Sequence, residues 1–303
     1  MSKLASAAGT FPFAGRTVNR MGYGAMQLAG PGVFGPPRDP DAAREVLRRA
    51  IELGVDHIDT AQYYGPDVVN DLIREALYPY PENLKLVTKV GGRRDEQGAW
   101  LPAQSPAELR AGVEDNLRSL RVERMDLVNL RLMDADAQGD VLAEQLGALE
   151  DLRREGKLDL IGISEAGVDA VARALELVDI AEVQNAYSVV NRSGEDVLEL
   201  CIEREIAFVP YFPLGSAFSG GPKQLAQDPA IAEVAKRRGI SVTQVALSWL
   251  LARYERMLLI PGTSSVRHLE ENMAVADIEL DEQDLAELEN AIELGHPMAA
   301  AHE

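Results

Sequence analysis

A chain of 303 residues, 46% of them apolar, can bury the core of a large α/β barrel, yet no apolar run approaches the roughly 20 residues that cross a bilayer. With 49 acidic against 30 basic residues the formal charge is -19, which repels a phosphate backbone and sets nucleic acid aside, although a few donors at a helix N-terminus still suit a small anionic ligand. The N-terminus lacks the charged-then-apolar plan of a signal peptide and the single Cys201 falls on the apolar face of an expected helix, so a cytoplasmic protein with a packed, unreactive thiol is expected, with no membrane partner.

In chain order, the first twenty residues, with Gly15 between Phe13 and Val18, suit a short hairpin capping one end of the domain. Met21 to Met26 reads as a short strand whose Gly22 and Gly24 admit close backbone approach, followed by the Gly- and Pro-rich loop from Gly30 to Pro40. A helix from Asp41, with Ala43, Val46, Leu47, Ala50 and Ile51 at helical spacing, stops at Gly54 before a strand from Val55 to Asp59. The plan recurs six times, with strands at Leu84 to Lys89, Met125 to Arg131, Leu158 to Ser164, Ile180 to Gln184, Ile206 to Tyr211 and Met257 to Pro261, each preceded by an amphipathic helical segment. Ser105 to Glu108 and Ser241 to Gln244 are capping boxes, Asp228-Pro229 is a cap followed by proline, and Gly156 and Gly239 sit where helices should stop. Short apolar strands alternating with helices imply a parallel sheet covered on both faces, and eight of them favour a closed (β/α)8 barrel with a short N-terminal hairpin. The absence of Gly-x-Gly-x-x-Gly after an early strand argues against an open dinucleotide fold, and without a linker-like break residues 1–303 are expected to form one domain.

A barrel builds its active site at the carboxyl ends of its strands. Those ends carry Asp59, Lys89, Arg131, Ser164 with Glu165, Gln184, Tyr211 and Gly262-Thr263-Ser264-Ser265. Tyr64, just beyond Asp59, has a phenol that ordinarily titrates near 10, and an ammonium about 4 Å away favours the phenolate by roughly 4 kcal/mol at an effective dielectric near 20. Asp59 would hold Lys89 charged and oriented, and Tyr64 would give a proton to a carbonyl oxygen as hydride arrives, so the constellation fits carbonyl reduction with a nicotinamide cofactor. Metal chemistry is not expected: of the four histidines, His57 should point away from the strand end that presents Asp59, His296 and His302 lie in the tail, and His268 stands alone.

Gly54 to Ala61 with Tyr64-Gly65, Val87-Thr88-Lys89, Ile161 to Ser164, Val183-Gln184-Asn185, Tyr211 with Pro213-Leu214-Gly215, and Ile260 to Ser265 with Glu271-Asn272 form an ordered set over essentially the whole chain. By these motifs the sequence resembles the aldo-keto reductases. Asn19 to Arg38, Arg74 to Tyr80, Val128 to Arg131 and Leu259 to Ser265 are similar to the bacterial pyridoxal reductase group within them. The resemblance implies Asp59, Tyr64, Lys89 and Arg131 as catalytic residues, with Tyr64 as general acid/base. It implies that Gly24, Ala25 and Met26 lie against a nicotinamide cofactor, that Ser164 and Gln184 hold the carboxamide, and that Tyr211 stacks on the ring. Leu214, Gly215 and Ser216 would line the pyrophosphate, Gly262, Thr263, Ser264 and Ser265 with Arg267 or His268 would take the adenosine phosphate, and Glu271 and Asn272 would contact adenine.

Two positions depart from the family pattern. Arg131 stands where most members place a histidine; it either binds the carbonyl or an anionic substrate oxygen or pairs with an acid such as Asp134. Glu165 stands where an asparagine is usual, and an ionised carboxylate there cannot donate to the carboxamide. Arg267 beside Thr263, Ser264 and Ser265 favours NADPH over NADH, the alternative for these residues being a helix cap on the segment from Val266 to Asp277. The expected partner is a small aldehyde or ketone, pyridoxal first, with Trp100, Tyr187, Phe212 and Phe218 as ring-stacking candidates; the alternatives are another carbonyl of secondary metabolism or a non-catalytic nucleotide-sensing subunit.

Overall fold

Side chains satisfy the first N–H groups of the helices where the sequence marks them. Ser105 with Glu108 and Ser241 with Gln244 form reciprocal capping boxes, and Asp39 and Asp228 accept from the Ala42 and Ile231 N–H. Each such cap stabilises its helix by about 1 kcal/mol. Gly156 and Gly239 take the left-handed conformation that ends the helices before them.

The computed structural model describes residues 4–13, 15–136, 139–215 and 221–292. Hairpin strands β1 (Thr10–Phe13) and β2 (Arg16–Asn19) precede β3 (Tyr23–Gly24), α1 (Pro40–Glu52), β4 (His57–Asp59), α2 (Val68–Leu77) and β5 (Lys85–Val90). A small hairpin follows, β6 (Gly92–Arg94) and β7 (Trp100–Pro102), then α3 (Pro106–Leu120), β8 (Met125–Arg131), α4 (Gly139–Arg154), β9 (Leu158–Ser164), α5 (Val168–Leu177), β10 (Ile180–Gln184), α6 (Glu195–Glu203) and β11 (Ala207–Phe208). Helices α7 (Pro222–Leu225), α8 (Pro229–Arg238), α9 (Val242–Arg253), α10 (Val266–Met273) and α11 (Glu282–Leu288) complete the chain. Among the described residues no helix is long and apolar enough to cross a membrane.

Seven parallel strands lie in the order β11-β10-β9-β8-β5-β4-β3. The eighth expected strand, Met257 to Pro261, is present as two isolated parallel bridges: Met257 pairs with Phe208 on one edge and Leu259 with Met21 on the other. The Leu258 N–H reaches Phe208 O at 3.0 Å and the Gly22 N–H reaches Leu259 O at 2.7 Å, so this short segment closes the sheet into a (β/α)8 barrel. Its ladder is sparse because Pro261 has no N–H and because Gly24 and Gly262 press together; a Cβ on Gly262 would lie 2.6 Å from Gly24 O. The first and seventh strands are likewise shorter than expected. Residues 25–28 turn into a 3-10 helix, and Pro210 interrupts the run from Ile206 to Tyr211.

The N-terminal hairpin plugs one mouth. Phe11, Phe13 and Val18 pack with Val87, Leu127, Ala207, Val209, Leu258 and Ile260, and Phe13 stands edge-on to His57 at the start of β4, with centroids 5.8 Å apart. Burial holds His57 neutral, its pKa lowered to about 3 with help from the Lys89 charge. It lies under the hairpin, away from the strand ends, as its position predicts. Cys201 is buried and its thiol pushed up to about 12, as expected of a packed cysteine. Among the described residues the hairpin covers the amino mouth, which leaves the carboxyl mouth open.

Candidate active site

Asp59 ends β4, and Lys89 lies on β5 beside it. Lys89 Nζ donates to Asp59 Oδ1 at 2.5 Å and to Thr60 O at 3.1 Å, and both charged side chains are only 4% exposed. Gln184 Nε2, from the end of β10, donates to Asp59 Oδ2 at 2.9 Å, so both carboxylate oxygens are held from different strands. Thr60 is pinned in turn. Its hydroxyl donates to Asn70 Oδ1 at 2.8 Å, Asn70 Nδ2 donates to Asn116 Oδ1 at 3.0 Å and Ser119 Oγ at 2.9 Å, and Thr88 Oγ1 donates to Asn116 Oδ1 at 2.6 Å. This buried network ties β4 and β5 to α2 and α3 and fixes the acceptor beneath the ammonium.

The Tyr64 ring is 6% exposed, with Lys89 Nζ 5.2 Å from its centroid. The expected downward pull of Lys89 on this phenol does not dominate. Burial, then the Asp59 charge, push its pKa up while Arg131 pulls it down, because the Lys89 charge is largely spent on Asp59. The phenol is therefore held in its proton-bearing form, which is the form a general acid needs.

Arg131 and Glu165, the two departures, face each other. Arg131 Nη2 lies 3.8 Å from Glu165 Oε2, each side chain is 19% exposed, and the guanidinium sits 5.9 Å from the Tyr211 ring centroid. Asp134, the acid considered from sequence, instead accepts from the Asp136 N–H. Glu165 has a positive φ of 59°, and so does Phe212 at 52°; both strained residues follow strand ends and line the same cleft.

That cleft has a volume of about 810 Å³ and opens at the carboxyl mouth. It gathers Asp59, Tyr64, Lys89 and Arg131 with Gly24, Met26, Gln184, Tyr211, Leu214, Gly215, Gly262, Thr263, Ser264 and His268. Ala25, Ser164, Ser265, Arg267, Glu271 and Asn272 do not line it. Ala25, Ser164 and Asn272 are buried behind its wall, and Ser265 caps α10 by accepting from the His268 N–H. Arg267 is 72% exposed and pairs with Glu271 at 2.8 Å and with His268 Nε2 at 2.8 Å. Ser216 and Phe218 lie outside the described residues. Of the other ring candidates, Trp100 and Phe212 line the cleft, whereas Tyr187 is buried and stacks on Trp249, with centroids 5.8 Å apart.

The arrangement fits a long, flat ligand with an amide at one end. Ser164 Oγ, Gln184 Oε1 and Tyr211 Oη are buried without a hydrogen-bond partner among the described residues, and Gly24 and Gly262 leave no side chain between backbone and cleft. Sequence reasoning missed the β6–β7 hairpin, which sets Trp100 edge-on to Tyr63 (centroids 5.4 Å) under Arg94 at 4.0 Å from the indole. It also missed Lys223, a cation on the cleft rim beside Gly221. The signal available was weak: a polar Gly-x-x-rich stretch with a lone Trp.

Comparison with known proteins gives the family of the chain. The Aldo/keto reductase family pattern matches residues 20–293. A pyridoxine 4-dehydrogenase of Escherichia coli (strain K12) is 48% identical over 283 residues, covering 92% of this chain and 97% of that protein. An uncharacterised oxidoreductase of Schizosaccharomyces pombe is 39% identical, covering 94% and 90%. Among solved structures, an aldo/keto reductase from Klebsiella pneumoniae in complex with NADP and acetate superposes with a TM-score of 0.75 at 27% identity, covering 92% of this chain and 93% of that one. The chain belongs to the aldo/keto reductase family and is an NAD(P)H-dependent oxidoreductase acting on carbonyl and alcohol groups.

Proposed function

We propose that this protein reduces pyridoxal to pyridoxine with NADPH, using Tyr64 as the proton donor. The observation that carries the chemistry is the buried Asp59–Lys89–Gln184 group with the Tyr64 phenol beside it at the carboxyl mouth. The cofactor, when bound, supplies the hydride. Gln184 offers a free polar atom for its carboxamide, with the unpartnered Ser164 hydroxyl buried just behind the wall, Tyr211 offers a ring, and Leu214, Gly215, Gly262, Thr263, Ser264 and His268 form the wall along which its phosphates would run. Arg267, exposed outside the cleft lining next to His268 and paired with Glu271, supports NADPH over NADH because a guanidinium can grip a 2'-phosphate with two hydrogen bonds. Tyr64 gives its proton to the carbonyl oxygen while Lys89, held by Asp59 and Thr60, sets the local charge; Asp59 is kept in place by Gln184. The choice of pyridoxal draws on the E. coli relative, and Trp100, Tyr63 and Phe212 supply flat apolar walls for a heteroaromatic ring.

Purified protein given pyridoxal is expected to oxidise NADPH faster than NADH and to release pyridoxine. Turnover of other aldehydes but not pyridoxal would overturn the substrate, and no multiple turnover with any carbonyl would overturn the enzymatic reading. Arg131→Ala is expected to lower kcat/KM for pyridoxal by about 10- to 100-fold, the worth of one charge-assisted hydrogen bond, while changing stability by less than about 1 kcal/mol because its ion pair is long, at 3.8 Å, and lines the open cleft. Steady-state kinetics and thermal unfolding on the same preparation check this; the reverse pattern, a large stability loss with unchanged kinetics, would make Arg131 structural.

A further inference from the structure

Below the cleft, inside the barrel, lies a polar pair that the chemistry above does not use. Asn129 on β8 and Glu182 on β10 are both fully buried, and they reach each other across β9, the strand between them. They meet because β9 carries Gly162 at that level: a Cβ there would fall 2.1 Å from Asn129 Oδ1 and 3.0 Å from Glu182 Cγ. Asn129 Nδ2 donates to Glu182 Oε1 at 2.8 Å. The other two polar atoms of the pair, Asn129 Oδ1 and Glu182 Oε2, are buried with no hydrogen-bond partner among the described residues. As an ionised carboxylate Glu182 would therefore bring two unsatisfied acceptors and an uncompensated charge into the barrel interior, the arrangement that folded proteins avoid most strictly. One proton removes all three faults, since a carboxylic acid and a primary amide that share one hydrogen bond can close a second in the same ring.

We propose that Glu182 is a neutral carboxylic acid in the folded enzyme, joined to Asn129 as a cyclic acid–amide pair, and that this pair is a positioning element that keeps the floor beneath Asp59 and Lys89 free of charge. The groups whose charge reaches Glu182 are Asp59 on β4 and Lys89 on β5; Asn129 on β8 and Gln184 on its own strand are uncharged. Burial first, and the Asp59 charge, push Glu182 up to about 8, against the opposing pulls of Asn129 and Lys89. An ionised Glu182 would compete with Asp59 for Lys89 and weaken the hold that orients the ammonium toward Tyr64. A neutral one leaves Asp59 as the ammonium's sole charged partner.

The linkage has a definite sign. An unfolded glutamate releases its proton near pH 4.3, and the folded one holds it to about 8, so the folded chain binds the extra proton between these values and stability falls as pH rises through that window. Glu182→Gln, which can form the same ring as an amide–amide pair, is expected to gain in Tm relative to the parent, by an amount that grows with pH across the window and then levels. In the infrared spectrum at neutral pH the parent should show the carbonyl stretch of a protonated carboxylic acid, which fades as pH passes about 8 and is absent from the variant. If Glu182→Gln does not fold, Asn129→Ala, which keeps the acid but removes its partner, should shift the frequency of that band. No protonated-acid band at neutral pH, or a Glu182→Gln protein that is less stable at pH 7 than at pH 5 relative to the parent, would overturn the proposal. A third readout, an ionisation step in the rate–pH profile that the variant lacks, rests on the catalytic reading given above; the infrared and Tm measurements do not, so failure of one can be told from failure of the other.

Discussion

Tyr64→Phe is expected to cut turnover by about 10² to 10⁴-fold, the usual worth of a positioned general acid, while cofactor affinity stays close to that of the parent. The Tyr64 phenol lines the cleft beside the Asp59–Lys89 pair, with Lys89 Nζ 5.2 Å from its ring centroid, and burial with the Asp59 charge keeps its proton on. Phenylalanine retains the edge-on contact with Tyr63, whose ring centroid is 5.5 Å away, so packing is preserved and only the donor is lost. The sign of the pKa shift adds a directional expectation. A phenol held above its ordinary value is ready to donate in carbonyl reduction, whereas alcohol oxidation needs the phenolate and should accelerate as pH rises. Fluorescence titration with NADPH and steady-state rates in both directions separate the two. Loss of cofactor binding together with turnover would show that Tyr64 shapes the cleft rather than donating a proton.

The parts of this site that are legible in the sequence are those carried by the barrel's regularity. Asp59, Lys89, Arg131, Ser164 and Gln184 each close a short apolar run, and in a (β/α)8 barrel such positions converge at one mouth whatever the details of packing. What stays hidden depends on register and on gaps. Arg131 and Glu165 meet because β8 and β9 pair with Arg131 opposite Ser164, a register no single strand announces. Asn129 and Glu182 meet only because Gly162 leaves room between them, so the pair is encoded in three separate strands, two of them polar where a buried run should be apolar. The eighth strand shows the opposite failure. Its apolar pattern is plain, but Pro261 and the crowded Gly24–Gly262 approach reduce its ladder to bridges, a fact set by local backbone geometry. The Trp100 hairpin carries no alternating pattern at all, and its place over the cleft comes from Arg94, which donates to Gly98 O at 2.9 Å and Gly32 O at 3.0 Å and so ties two loops together.

Lys89→Met should both destabilise and inactivate, and the two effects can be pulled apart. Removing the ammonium leaves the Asp59 carboxylate 4% exposed with only the Gln184 amide to answer it, and breaking a buried ion pair in this way costs about 3–5 kcal/mol. The double variant Asp59→Asn/Lys89→Met carries no buried charge at this position, so most of that loss should return, since neutral groups of similar size are tolerated where a lone charge is not. Turnover should not return with it. If the pair serves only the fold, the double variant would be both stable and active; if it serves the chemistry, stability recovers while the rate stays with that of the single variant. Denaturant unfolding and steady-state reduction on the parent, both single variants and the double variant close this cycle. The coupling between Asp59 and Lys89 in stability is expected to be large and favourable, and in rate the two losses should be far from additive, because each variant disrupts the same hydrogen-bonded pair beside the proton donor.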